Sequence, residues 1–132
     1  YLISFFVGYL IITSHNTNPN ISPYFFITLI WYPCYENLFS IIRKLRAKLS
    51  PLAPDSNHLH QLLYEQINKK LFKNNLVANN TGSILINFFN LLIILISLQD
   101  PYNTVYQIKI IIGSIIFYTI FFMFIKNKLN KL

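Results

Sequence analysis

Long apolar runs divide this chain. The first, residues 1–12 (YLISFFVGYLII), holds no charged residue. At about 1.5 Å per residue it covers roughly 18 Å of a hydrocarbon core about 30 Å thick, so it is too short to span a bilayer. It has no initiating Met, no basic leader and no small-residue cleavage site, which makes a signal peptide a poor account of it. The expectation is a C-terminal fragment that begins inside a truncated helix. Three fuller runs follow, at about Ile21–Ile42, Gly82–Leu98 and Val105–Ile125, with lengths that suit transmembrane helices. The predicted fold is all-α, a polytopic integral membrane protein forming one membrane domain. It has about four helices, the first truncated, with residues 43–81 as a long connection and 126–132 as a tail.

Local signals refine these elements. Pro33 lies inside the second run, where it removes a backbone hydrogen bond and predicts a kinked helix. Trp31, Tyr32 and Tyr35 read as packing and interface residues, and Cys34 as a small apolar one. Asn87 and Asn90 share a helical face in the third run, a pattern that ties helices together. In the long connection, Ser50-Pro51 and Ala53-Pro54 force extended geometry on the residue before each proline and so end the preceding helix. Asp55 then stands where it can cap the next. From there LHQLLYEQINKKLF puts Leu59, Leu63, Ile67 and Leu71 on one stripe with charge opposite, which predicts an amphipathic helix lying on the membrane surface.

Composition agrees with a lipid environment. Hydrophobic residues make up 54 % of the chain and only 11 % are charged, against the quarter usual for a soluble domain. A water-soluble globule, a disordered chain and a nucleic-acid binder are excluded on the same ground. The net charge of +7 needs another origin, and the positions of the basic residues supply it. Residues 13–20 carry no Lys or Arg and 99–104 only Asp100. The connection 43–81 holds Arg43, Lys44, Arg46, Lys48, Lys69, Lys70 and Lys73, and the tail holds Lys126, Lys128 and Lys131. Residues 43–81 and the C-terminus therefore belong in the cytoplasm, with Lys109 alone near the outer end, where its stem can snorkel. The single Cys allows no internal disulfide.

Reactive side chains concentrate in Leu49–Tyr64 (LSPLAPDSNHLHQLLY), namely Asp55, Asn57, His58 and His60. If residues 58–61 are helical, His58 and His60 point roughly 200° apart and His58 shares a face with Gln61. If they are extended, the two histidines lie on one side. His-x-His with no third ligand nearby except Asp55 is a weak metal site. His, Asn and nearby Arg and Lys suit a phosphate or diphosphate instead, because they donate hydrogen bonds to anionic oxygens. A solvated loop with incidental histidines is the plain alternative. Glu36 is the only acid inside an apolar segment and a functional candidate by position. Near the cytoplasmic end, it can also reach the interface or pair with a basic residue such as Arg43.

The run Ser50-Pro51-Leu52-Ala53-Pro54-Asp55-Ser56-Asn57-His58-Leu59-His60-Gln61-Leu62-Leu63 resembles the Ser-Pro-x-x-Pro-Asp-Arg-x-His-x-His-His-Leu-Leu loop of the polyprenyl-phosphate N-acetylhexosamine-1-phosphate transferases. This family, glycosyltransferase family 4, is related to the phospho-N-acetylmuramoyl-pentapeptide transferase of peptidoglycan synthesis. The likeness is dense over about fourteen residues, with a helix pair before it and two closing helices after it. It implies an enzyme of the bacterial inner (plasma) membrane in which undecaprenyl phosphate attacks the β-phosphate of a UDP-N-acetylhexosamine. The products would be UMP and a lipid-linked diphosphate sugar, as in an initiating step of cell-envelope polysaccharide synthesis, with Mg²⁺ neutralising the diphosphate. By the same resemblance Asp55, Asn57, His58, His60 and Gln61 bind the nucleotide sugar, with Arg43 and Arg46 as further phosphate contacts. The lipid bilayer and a second copy of the chain, as a homodimer, complete the partners it allows.

Two positions depart from the family loop. Ser56 replaces an Arg, and Gln61 replaces the last His, keeping a hydrogen-bond donor but no charge. The family's catalytic, Mg²⁺-binding aspartates belong to cytoplasmic loops upstream of these residues, so neither a catalytic residue nor a metal ligand is expected here and the fragment alone is expected to be inactive. The contrasting reading is a non-catalytic multi-span scaffold or transport subunit, or a degenerate transferase that keeps the loop for interaction.

Overall fold

The computed structural model describes residues 2–55, 57–70 and 74–130, the side chain of Lys70 excepted. Ser56, Leu71, Lys73 and Lys131, which figure above, lie outside the described residues. The chain is all-helical, in the order α1 (Leu2–Thr17), α2 (Pro23–Leu29), α3 (Trp31–Arg46), α4 (Leu59–Lys70), α5 (Asn75–Ser97) and α6 (Thr104–Leu129). Two helices, α5 and α6, are long and apolar enough to cross a membrane, and α2 with α3 makes a third span if the bent pair counts as one. At 16 residues α1 is shorter than a span.

The second apolar run is broken where a kink was expected. Its two helices meet at 73° around Ile30, and Pro33 falls in the first turn of α3. That placement follows from the ring: Pro33 has no N–H to give the carbonyl of Leu29 and clashes with it, whereas the first turn of a new helix needs no such bond. Ser22 caps α2 through the Tyr24 N–H, with Pro23 at the first helical position.

At its other end α3 stops before the prolines act. Lys48 takes a left-handed conformation (φ 57°), its N–H bonds the Leu45 carbonyl, and the Leu49 N–H reaches back to Lys44. This is a Schellman stop with Lys where Gly is usual. The third apolar run is also longer than expected. Asn74 caps α5 through the N–H groups of Leu76 and Val77, so residues 75–81 are helix and not part of the connection.

Helices α5 and α6 form the centre, with α2 packed on both at one end and α4 on both at the other. Polar pairing fixes the first end. Gln107, fully buried, accepts from Thr28 and Ser97 hydroxyls and donates to the carbonyls of Ser97 and Asp100. The Ser22 N–H bonds the Pro101 carbonyl nearby. At the other end Leu59, Leu62, Leu63 and Ile67 of α4 are buried. The amphipathic helix thus spends its apolar face on the bundle and not on a lipid surface, and Leu62 joins the stripe. Gly82 of α5 faces α4, where a Cβ would meet the Cβ of Leu63 at 3.7 Å, an ordinary packing distance.

Helix α3 joins through aromatic edges. Tyr35 and Phe39 pack on Tyr118, Phe39 also packs on Phe122, and Trp31 on Phe89. The opposite faces stay apolar and exposed, as in Ile112, Ile116, Ile120 and Phe124 at four-residue spacing on α6. A surface of that kind belongs in lipid, and the protein is membrane-embedded. Asn87 is exposed, while the Asn90 side-chain oxygen is buried without a partner among the described residues, so the pair ties no helices together here.

Candidate functional site

Glu36, Ser40 and Arg43 follow one another at four and three residues on α3 and so share a face. That face looks at the loop leading into α4. Ser40 donates to Asp55 at 2.8 Å, and Arg43 forms an ion pair with the same carboxylate oxygen. The other Asp55 oxygen accepts from the Asn57 backbone N–H at 2.9 Å and its side-chain amide at 3.3 Å. Asp55 therefore closes an Asx turn and does not cap α4. Burial pushes its pKa up, but the Asn57 N–H, the Ser40 hydroxyl and the Arg43 guanidinium outweigh this and hold the carboxyl well below the usual carboxylate range. Arg43 also lies over the Phe122 ring, 5.6 Å from its centroid.

Two other side chains start α4. The Gln61 side-chain oxygen accepts the His58 N–H at 3.2 Å, a back-bond of the capping-box type. Glu36 accepts the Leu59 N–H at 2.8 Å through the oxygen that also meets His58 Nδ1 at 3.2 Å, and Tyr118 donates to its second oxygen at 2.7 Å. Glu36 is thus paired with His58 and Tyr118, and Arg43 goes to Asp55. The histidine fork resolves between its two branches: His58 precedes the helix and His60 is its second residue. Their rings stack at 5.8 Å and 16°, both on one side.

Beside this loop lies a polar cavity of about 330 Å³, lined by Arg43, Lys44, Asp55, Asn57 and Lys126 among others. Lys44 donates to the carbonyls of Pro51 and Ala53, which shapes the rim. Of the expected site residues the cavity is lined by Arg43, Asp55 and Asn57, whereas His58, His60 and Gln61 follow at the start of α4 and do not line it. Arg46 is exposed and does not line the cavity.

Lys44 and Lys126 enter the site although sequence reading treated them only as topology anchors. The helical spacing of Glu36, Ser40 and Arg43 was the available signal for the α3 face, whereas Tyr118 and Lys126 carried none. Mg²⁺ does not fit here. Both Asp55 oxygens and both Glu36 oxygens are engaged by donors, and no cluster of three His, Cys, Asp or Glu that could hold a metal occurs among the described residues.

Comparison with known proteins finds no matching family model, no matching curated relative and no matching solved structure. The likeness of the loop to the sugar-phosphate transferases rests on its own residues.

Proposed function

We propose that this chain is the C-terminal part of a polyprenyl-phosphate N-acetylhexosamine-1-phosphate transferase and that its loop binds the UDP-sugar at the cytoplasmic membrane face. The observation that carries the reading is the joint placement of the resembling run and a cationic cavity. Asp55 and Asn57 line that cavity with Arg43, Lys44 and Lys126, and residues 58–61 follow directly at the start of α4. Cations and N–H donors around a hollow of that size suit a diphosphate. The acceptor is undecaprenyl phosphate in the same bilayer, and Mg²⁺ with the catalytic aspartates belongs to parts of the enzyme other than this chain.

The test uses the full-length protein in detergent, supplied with undecaprenyl phosphate, Mg²⁺ and UDP-N-acetylhexosamines, with UMP release as the readout. His58→Ala or His60→Ala should lower turnover by at least about 100-fold, on the scale of a lost preorganised hydrogen bond. Unchanged turnover in both variants refutes the site. Sidedness is tested in a Cys34→Ser background: Leu52→Cys should label from the cytoplasm and Tyr102→Cys from outside, both positions being exposed.

One observation favours the scaffold reading. Asp55, Gln61 and Arg43 already spend hydrogen bonds on the loop itself, as residues kept for structure do. Under that reading the full-length protein binds no UDP-sugar at all, which equilibrium binding decides.

A further inference from the structure

Glu36 sits on the α3 face that meets the loop, with only 11 % of its side chain exposed, and none of its partners among the described residues is a Lys or Arg. Its first oxygen accepts the Leu59 N–H, a group that can only donate. As a carboxylate Glu36 can only accept, so the 3.2 Å contact places a hydrogen on His58 Nδ1. One edge of the His58 ring is thereby fixed, and one face is covered by His60 at 5.8 Å. The opposite edge, Nε2, is what the part-exposed ring has left to offer.

We propose that Glu36 is a positioning residue for the UDP-sugar site: it holds His58 with the Nδ1 hydrogen on the carboxylate and Nε2 toward the ligand. The inference rests on the transferase reading above and extends it to a residue outside the resembling loop. Which ring nitrogen carries hydrogen is set by the partner of the other, and outer partners of this kind orient a histidine as firmly as the backbone does. The same carboxylate fixes where α4 begins, so ring orientation and loop register are set together. Asp55, Asn57 and Arg43 bond one another, and Glu36 is the partner of Nδ1.

The experiment is ¹⁵N spectroscopy of histidine-labelled full-length protein, with the His58 signal assigned by its loss in His58→Ala. The expected wild-type signal is a hydrogen-bonded Nδ1–H. Wild-type His58 carrying hydrogen on Nε2 alone overturns the proposal without any variant.

Glu36→Leu should release the tautomer and lower turnover by about 10- to 100-fold, while Glu36→Gln, which keeps an acceptor oxygen, restores both. Tyr118→Phe removes the other contact of the carboxylate and should leave the tautomer unchanged, which separates ring positioning from general damage to the fold. In a His58→Ala background, Glu36→Leu should add less than about threefold to the loss, since coupled residues are not additive. A full further loss there makes Glu36 a structural cap and overturns its positioning role. Turnover that ignores His58→Ala sinks the transferase reading instead, and the spectrum still decides Glu36 independently.

Discussion

Removing the Asp55 carboxylate tests whether the loop is held as the geometry says. Asp55→Ala deletes the acceptor for Ser40, Arg43 and the Asn57 N–H at once. Truncating one partner of a buried pair costs about 3–5 kcal/mol, but Arg43 keeps 20 % of its side chain in solvent and recovers part of that. The lost bonds to the Ser40 hydroxyl and the Asn57 N–H add about 1.5 kcal/mol each at most. A net of about 3 kcal/mol for local opening is the resulting estimate, or about 100-fold in the opening equilibrium at 1.4 kcal/mol per decade.

Hydrogen exchange by mass spectrometry on peptides over residues 57–62 reads that equilibrium directly, with α5 and α6 as the internal reference. Exchange should rise about 100-fold in the loop and stay level in those helices. The double variant Asp55→Ala, Arg43→Leu should exchange more slowly than Asp55→Ala alone, because it no longer strands a guanidinium. A rise below about threefold in Asp55→Ala would refute the clasp.

Three further outcomes follow from other features. Gln107→Leu strands the Ser97 hydroxyl and carbonyl in a buried site, while the Thr28 hydroxyl keeps its bond to the Tyr24 carbonyl, so it should cost about 2–4 kcal/mol and lower the thermal midpoint in detergent; an unchanged midpoint argues against that network. Lys48→Gly relieves a left-handed residue at the end of α3 and should stabilise by about 0.5–1 kcal/mol, checked by the same melt. Asp55 titrates lower in the fold than in the unfolded chain. Its contribution is thus present above about pH 4 and lost as pH falls through the lower folded value. Loop exchange should quicken only below about pH 4, and Asp55→Asn should remove that acid dependence.

The helical class was legible because uninterrupted apolar runs of that length have few other solutions. Boundaries were less so. A proline marks a broken helix, but whether the chain bends or splits depends on whether a new first turn can form, and at Ile30 it does. The start of α5 was hidden by its polar first turns, which hydropathy counts as loop although Asn74 caps them. Within the site, the loop residues announced themselves by type, while their partners did not. Glu36 could have been assigned to Arg43 on charge alone. Geometry sends Arg43 to Asp55, one helical turn further toward the loop, and leaves Glu36 facing a backbone N–H and two rings that come much later in sequence.

That last separation bears on how the protein is made. Glu36 is made with α3, yet His58 follows by 22 residues and Tyr118 by 82. During synthesis the carboxylate therefore waits without its full set of donors until α6 arrives, and an unpaired carboxylate near hydrocarbon is costly to keep there. The packing of α3 is then coupled to the synthesis of α6: products ending before Tyr118 should hold α3 less firmly and be cleared by quality control, while chains that include α6 lock it in place.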